Sequence, residues 1–252
     1  MDAVQRTLDI LEIFLKKDQE VGIAEVAELT GINVTTVYRI MSDLVKRGYL
    51  RQKRKREKYA IGIKFLEYNA AVQHNLKIGE LAQSMLQEMS QKSGEYVEVA
   101  VRDENIAVTI AQAEVARNLR ISNMIGEKLP LHATSVGKVF LAFMNLAERR
   151  EFYETNRLSV FTENTITDVK KMEGNLIEIR TLGYALDCEE FNVGVWSVAA
   201  PVRDYSGLII ASLALAAPSA RIVGKRQEDF ISLVLSCSKE LSVEMGFKER
   251  DA

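Results

Sequence analysis

Six basic side chains crowd into the eight positions from 51 to 58, with Glu57 as the single acid among them. Clusters of this density attract the phosphates of nucleic acids whatever the base sequence, although a charge run alone more often marks a solvated surface. The flanking residues Tyr49, Leu50, Tyr59 and Ile61 favour two short strands around the cluster. The sequence thus predicts a basic hairpin in which the phosphate contacts are Lys53, Arg54, Lys55, Arg56 and Lys58.

Two short helical patterns that meet at Gly31 precede this hairpin. Glycine suits the left-handed end of the first helix, and Asn33 can cap the second helix through its side chain. Apolar residues of the second helix recur at intervals of three and four, which gives one stripe that faces a core. Its other faces would meet a major groove, with Arg39 as the best candidate to contact a base edge, and they carry Thr35, Thr36, Tyr38, Arg39 and Ser42.

The order of these elements, two helices and then a basic hairpin, is typical of a winged helix-turn-helix that binds DNA. Helix-turn-helix spacing alone also occurs by chance in helical proteins, and it is the hairpin directly behind it that favours DNA. The distribution of charge along the chain also favours DNA binding by the N-terminal part. Residues 1–62 carry a net charge of +3, and the remaining residues carry −5. A basic head on an acidic body fits a DNA-binding module joined to a domain that avoids DNA.

The chain of 252 residues is long enough for two domains, each with its own core. Cys188 and Cys237 do not form a disulfide framework, which agrees with a reducing compartment. The sequence contains no run of about 18 apolar residues and no secretion signal at its amino terminus. These observations predict a cytoplasmic protein.

Beyond residue 62 the pattern mixes helices and strands without strict alternation, which predicts an α+β domain with a mostly antiparallel sheet. Residues 63–74 show no Gly or Pro break and predict a linker helix. The predicted domains are therefore 1–62, 63–75 and 76–252. The later elements are helices at 78–92, 134–145, 147–155, 169–182 and 224–245, hairpins at 96–112 and 195–215, and a strand at 118–124.

Signals for catalysis and for metal binding are weak. Residues 133–137 miss a nucleophile-elbow pattern by one residue, because Ala133 stands where the first glycine belongs. A phosphate loop is excluded at Gly137 and Lys138, because Val139 follows where a magnesium-binding hydroxyl is needed. A zinc site could in principle form from His132, Cys188 and Glu189, but their spacing matches no known zinc finger. We expect no catalytic residue, no metal and no cofactor.

Several segments together resemble the IclR-type bacterial transcriptional regulators over nearly the whole chain. The resemblance is carried by residues 23–27 and 37–39 in the head, 59–62 after the hairpin, and 129–138, 183–190 and 194–201 in the body. It implies an N-terminal winged helix-turn-helix, a linker helix and a C-terminal effector-binding domain of GAF-like fold. Family members act as homodimers or tetramers on palindromic DNA operators and sense small molecules, often organic or aromatic acids.

Carried over by motif, the resemblance places the effector-binding residues after the Leu-Pro-Leu-His segment, after Gly183-Tyr184 and on the last two strands. A helix start at Ser135 suits an acid, because free amide groups there favour an anion. Alanines stand on the last strand where some relatives have hydroxyls, which predicts a larger or more apolar effector than a two- or three-carbon acid. The implied set is Ser135, Val136, Asp187, Trp196, Ser197, Ala214 and Ala216, although Trp196 could equally be a core residue.

The sequence leaves two rival functions open beside a metabolite-controlled regulator, for which repression is favoured over activation. One rival is an enzyme acting on a small carboxylic acid, with the winged helix as an interaction module. Its only suggestive side chains are Ser135, His132 and Asp187. The other rival is an architectural DNA-binding protein without an effector.

Overall fold

The computed structural model describes residues 2–16, 20–52, 58–76, 78–115, 121 and 124–248. It divides into two compact units, Met1–Asn75 and Leu76–Ala252. In the part of the chain so described, no helix combines the length and hydropathy needed to span a membrane. The first unit contains α1 (Ala3–Lys16), α2 (Ile23–Thr30), α3 (Val34–Lys46), β1 (Leu50–Gln52), β2 (Tyr59–Ile61) and α4 (Lys64–Leu76).

The helix-turn-helix forms at the predicted hinge. Gly31 ends α2 in the left-handed region, with φ of 68°, and the Asn33 side chain accepts a hydrogen bond from the Thr35 N–H at 2.9 Å. Val37 and Met41 of α3 are fully buried in the core of this unit. Helix α1 buries Ile10 and Phe14 in the same core and leaves Val4, Leu8 and Leu15 exposed.

Strands β1 and β2 pair antiparallel and form the predicted hairpin. Val21, before α2, exchanges two backbone hydrogen bonds with Tyr59 of β2, at 2.8 and 2.9 Å, and so adds a bridge on the other side of β2. The hairpin is thereby tied to the start of the helix-turn-helix. Four of the predicted phosphate contacts, Lys53, Arg54, Lys55 and Arg56, lie outside the described residues.

Helix α4 is joined tightly to the end of α3. A Cβ atom at position 62 would lie 2.0 Å from the Gly48 carbonyl oxygen. Only glycine at position 62 therefore allows the two backbones to approach this closely. Tyr49 packs edge-on against Phe65, with 5.6 Å between ring centroids, and its hydroxyl lies 2.6 Å from that of Tyr68. These contacts fix the first turns of α4 against the winged helix.

The second unit is built on one six-stranded antiparallel sheet in the order β5-β4-β3-β8-β7-β6, which confirms the predicted α+β class. The two predicted hairpins form β3–β4 and β7–β8. The elements in chain order are α5 (Ile78–Ser93), β3 (Tyr96–Asp103), β4 (Ile106–Ala113), β5 (Lys128–Pro130), α6 (Ser135–Phe143), α7 (Leu146–Thr155), α8 (Val169–Leu182), β6 (Ala185–Cys188), β7 (Val195–Arg203), β8 (Ile209–Pro218) and α9 (Arg226–Glu244).

Helices cover both faces of this sheet, and each face has its own apolar core. Helices α5 and α9 pack on one face, where Leu86 and Val234 are fully buried. Helices α6 and α8 pack on the other face, which includes Ala199 and Ala214. Strand β6 was not predicted, and the strand predicted at 118–124 lies mostly outside the described residues.

Candidate functional sites

One face of α3 forms an open groove of about 530 Å³ at the surface of the first unit. All five α3 side chains predicted to face DNA line it, namely Thr35, Thr36, Tyr38, Arg39 and Ser42. Tyr38 is 57% exposed although it is large and aromatic, because the buried stripe of α3 points the other way. The groove therefore gathers hydroxyl, aromatic and guanidinium groups on an accessible helix face.

Sequence reasoning missed two residues of this groove, Asp43 and Lys46. They form an exposed ion pair across one helical turn, with the Lys46 Nζ 3.0 Å from the Asp43 carboxylate. Asp43 and Lys46 stand seven residues beyond Thr36 and Arg39 and so lie on the same face of α3. This spacing could have shown that the groove extends to them. Lys58, the one predicted phosphate contact of the hairpin within the described residues, is exposed.

The second candidate site is buried between α6 and the sheet. Cα partners across an antiparallel sheet place their side chains on one face, and the pairs Asp187–Ser197, Ser197–Ala216 and Ala216–Tyr96 make one row across four strands. Ala214 lies on the same face, two residues along β8, within the core under α6. The structure thus brings Asp187, Ser197, Ala214 and Ala216 together.

Helix α6 begins directly above this row. The Thr134 side chain caps the helix by accepting a hydrogen bond from the Gly137 N–H at 3.1 Å. The N–H groups of Ser135 and Val136 donate no hydrogen bond to any described residue, so they are the free donors of the helix start. Gly137 is required here, because its Cβ would lie 2.4 Å from the Cα of Leu131. The Val136 side chain is part of the apolar core. The polar group that Val136 offers to the site is its backbone N–H.

Two predicted polar side chains meet in this site. The hydroxyls of Ser135 and Ser197 are hydrogen bonded at 2.7 Å, which joins α6 to β7. The Asp187 carboxylate is 4% exposed and accepts a hydrogen bond from the Glu190 N–H at 2.7 Å. Burial raises the pKa of Asp187 to about 7, against the lowering effect of that hydrogen bond. Asp187 therefore exchanges its proton near neutral pH.

Trp196, which the family resemblance assigned to effector binding, does not lie on this face of the sheet. Trp196 pairs with Cys188 and Ala217, in the row that points to the opposite face. Its ring is buried in the core beneath α9, with its centroid 6.4 Å from that of Phe230. Neighbouring residues on a strand point to opposite faces, so Trp196 and Ser197 cannot line the same cavity.

A polar cluster on β3 and β4 was missed. Tyr96 and Glu98 alternate along β3 and share the face that carries Ser197 and Ala214. Glu98 accepts a hydrogen bond from the Thr109 hydroxyl at 2.7 Å, and the Tyr96 hydroxyl lies 2.9 Å from both Glu98 and Gln112. Burial raises the pKa of Tyr96. The polar residues at alternate positions 96 and 98 were the signal in the sequence.

Lys138 and Glu190 form a buried ion pair close to Asp187. The Lys138 ammonium is 2.5 Å from Glu190 Oε1, and the two side chains are 1% and 9% exposed. Lys138 stands three residues beyond Ser135 on α6, and Glu190 stands three residues beyond Asp187 after β6. The pair therefore connects the two segments that supply Ser135 and Asp187.

The hydrogen bonds of His132, Ser135 and Asp187 do not assemble a catalytic triad. His132 Nε2 lies 2.9 Å from the Ser159 carbonyl oxygen, and burial lowers the pKa of this imidazole. The hydroxyl of Ser135 and the carboxylate of Asp187 bond to other partners, as described above. Among the residues for which the structure gives positions, no three His, Cys, Asp or Glu side chains could hold a metal ion.

Comparison with known proteins matches both units to one family. The family model of the bacterial transcriptional regulator IclR C-terminal domain matches residues 70–243, and that of the IclR helix-turn-helix domain matches residues 3–54. The curated HTH-type transcriptional regulator KdgR of Escherichia coli is 29% identical over 250 residues, which cover 98% of this chain and 95% of KdgR.

Two solved structures extend this similarity. The IclR structure from Thermotoga maritima has a TM-score of 0.83 at 27% identity and covers 97% of this chain and 98% of its own. The inducer-binding domain of the Acinetobacter transcription factor PobR, a double mutant solved with 3-hydroxybenzoic acid, has a TM-score of 0.61 at 30% identity. It covers 65% of this chain and 97% of its own. The chain belongs to the IclR family of bacterial transcriptional regulators, with a helix-turn-helix DNA-binding domain and a C-terminal effector-binding domain.

Proposed function

We propose that the chain is a repressor that binds a palindromic operator through α3 and the basic hairpin, and that a small acid bound under α6 controls it. The observation that carries the DNA half is the groove on α3, because it gathers all five predicted side chains. Such a face suits the major groove, while the basic hairpin supplies contacts to phosphates that do not depend on base sequence.

Replacing Arg39 by Ala tests the DNA half. We expect the variant to lose about 1 to 3 kcal/mol of operator affinity and its preference at one base position, because Arg39 is exposed in the centre of the groove. Arg150→Ala is the matched control, since Arg150 is an exposed arginine on α7 of the other unit. Fluorescence anisotropy on operator variants measures both effects. Unchanged affinity and preference in Arg39→Ala would show that α3 is oriented differently.

We infer a homodimer, or a tetramer made from dimers, as the DNA-binding form. Val4, Leu8 and Leu15 are 68%, 54% and 76% exposed on α1, and their spacing of four and seven residues places them near one stripe. A second copy of the same stripe would cover them. Leu8→Glu should lower the mass measured by light scattering toward that of a monomer and weaken operator binding, and Asp9→Asn is the control. An unchanged mass would exclude this stripe as the dimer contact.

We propose that the effector is an organic acid larger than pyruvate, with an apolar or aromatic body. The free N–H groups of Ser135 and Val136 favour a carboxylate, and Ala214 and Ala216 present only methyl groups, which suit an apolar body. The polar cluster around Glu98 offers partners for a hydroxyl group. The PobR domain, in its complex with 3-hydroxybenzoic acid, provides a precedent in a related fold. Calorimetry with hydroxybenzoates, benzoate and pyruvate tests this proposal, and tighter binding of pyruvate would overturn it.

Effector binding would act by changing the operator affinity of the whole chain. A coupling of about 1 to 3 kcal/mol is typical and would weaken operator binding by about 5- to 150-fold. A transcription assay with purified polymerase should show repression that the effector relieves. We propose no enzymatic activity, because the hydrogen bonds of Ser135, His132 and Asp187 go to separate partners. Turnover of the bound acid that is lost in Ser135→Ala would overturn this view.

A further inference from the structure

Glu190 is held from several sides, although it lies in a loop after β6. Its side chain is paired with Lys138. Its carbonyl oxygen accepts hydrogen bonds from the hydroxyls of Thr165 and Thr162, at 2.6 and 3.2 Å. Its N–H donates to Asp187 Oδ1 at 2.7 Å. The Asp187 carboxyl group is therefore oriented by a backbone group whose own position depends on the ion pair with α6.

Stability alone does not explain why this ion pair is buried. Removing two charges from water costs several kcal/mol, and well-packed apolar residues often serve a core equally well. The pair is also incompletely satisfied, because Glu190 Oε2 is buried and no described residue donates a hydrogen bond to it. Lys138 has three N–H donors, and its one hydrogen-bond acceptor among the described residues is Glu190 Oε1.

We propose that Lys138 and Glu190 are positioning residues of the effector site. The pair fixes the orientation of the Asp187 carboxyl group, and each member offsets the effect of the other on the charge of that group. This inference rests on the proposed function in one respect, namely that Asp187 faces the effector. Neither Lys138 nor Glu190 needs to touch the effector, because both act through Asp187.

The charges around Asp187 support this assignment. Beyond the effect of burial, the Glu190 carboxylate raises the pKa of Asp187, and the Lys138 ammonium lowers it. The same two charges act in the same sense on the pKa of His132 and on that of the Cys188 thiol, which Glu190 raises and Lys138 lowers. Because Glu190 already neutralises Lys138, that ammonium is not a free counter-ion for an acid. An acidic effector would then meet the helix amides of α6 and the carboxyl group of Asp187.

The charge half of the proposal is tested on the full chain without any effector. Carboxyl carbons of isotope-labelled aspartates are titrated by NMR, and the Asp187 signal is assigned with Asp187→Asn. Lys138→Met should raise the pKa of Asp187 by about one unit and Glu190→Gln should lower it by about one unit. The double variant should lie close to the wild type. Lys170→Met, at an exposed lysine of α8, is the control.

The orientation half is tested by hydrogen exchange of the backbone amide at position 190. Glu190→Gln should increase that exchange about tenfold or more relative to Lys170→Met, because the loop loses its charged anchor. Glu190→Gln also covers the case in which Lys138→Met does not fold, since Gln keeps an oxygen that accepts from Lys138. An Asp187 pKa within about 0.2 units of wild type in Glu190→Gln, or unchanged exchange, overturns the proposal. Neither measurement uses an effector, so failure of the proposed effector class leaves both results interpretable.

Discussion

The groove on α3 and the site under α6 place their functional groups in opposite environments. Tyr38 of the groove is 57% exposed, whereas Asp187 and Lys138 are 4% and 1% exposed. Exposed groups act on a partner and contribute little to the fold, so substitutions there should change binding alone. Buried polar groups are part of the fold, and substitutions there should change stability, protonation and binding together. This contrast gives predictions of graded size.

The largest effect is expected at Gly137, at the start of α6. A Cβ in Gly137→Ala would lie 2.4 Å from Leu131 Cα and 2.6 Å from the Pro130 oxygen, and backbone atoms cannot move aside. We expect a loss of more than about 4 kcal/mol in the stability of the effector-binding domain. Gly174→Ala on α8 is the control, because no atom lies within 4 Å of its Cβ. Thermal unfolding measures both, and equal stability of the two variants would contradict the close approach.

Asp187→Asn should instead stabilise the domain, but only at high pH. The pKa of Asp187 rises to about 7 on folding from its ordinary value of 3.8, so the folded state binds the extra proton between these pH values. Stability of the wild type should therefore fall as pH rises from 4 to 7, and then level off. The variant should gain about 2 to 4 kcal/mol at pH 8 and nothing at pH 4. Denaturant unfolding between pH 4 and pH 8 measures this gain, with Asp103→Asn at an exposed aspartate as the control. Equal stability changes in the two variants would contradict the raised pKa of Asp187.

Neutralising lysines of the basic hairpin should weaken DNA binding moderately and leave the stability of the fold unchanged. Lys53→Gln and Lys55→Gln should each weaken binding to operator and to unrelated DNA by about 1 kcal/mol and reduce the salt dependence by about one charge. Lys170→Gln, in the second unit, is the control. Anisotropy titrations at several salt concentrations measure this, and a loss confined to the operator would mean that the hairpin reads bases.

The smallest effect is expected at Tyr68 on α4. Tyr68→Phe removes the hydroxyl that lies 2.6 Å from the Tyr49 hydroxyl, but keeps the ring contacts with Tyr49 and Phe65. An exposed hydrogen bond contributes about 0.5 to 1 kcal/mol. The loss in stability of the DNA-binding unit should stay within that range, as chemical unfolding would show. A larger loss would mean that this exposed contact behaves like the buried ones.

The same contrast explains what the sequence could predict. The α3 face follows from a helical period, because one short segment determines it. The buried site is assembled from α6 and four strands, and its composition depends on register, which one strand cannot show. Alternation along the predicted strand already excluded one of Ser197 and Trp196 from the site, and only the register of β7 against its neighbours shows that Trp196 is the one that points away. Strands β5 and β6 were both missed, and the Glu98 cluster was missed because its partners lie on two strands.

Because Gly48 and Gly62 approach closely, the start of α4 is held firmly against the end of α3. A movement of α4 should therefore be transmitted to α3. Helix α4 has 13 residues and is about 20 Å long. Its first turn is packed against the end of α3, so the two helices should move together. Tilting the far end of such a helix by about 10° displaces it by about 3 Å relative to the near end. That distance is close to the rise of one base pair, about 3.4 Å. If the chain binds its operator as the dimer proposed above, we expect such a tilt of α4 to displace each α3 relative to its half-site.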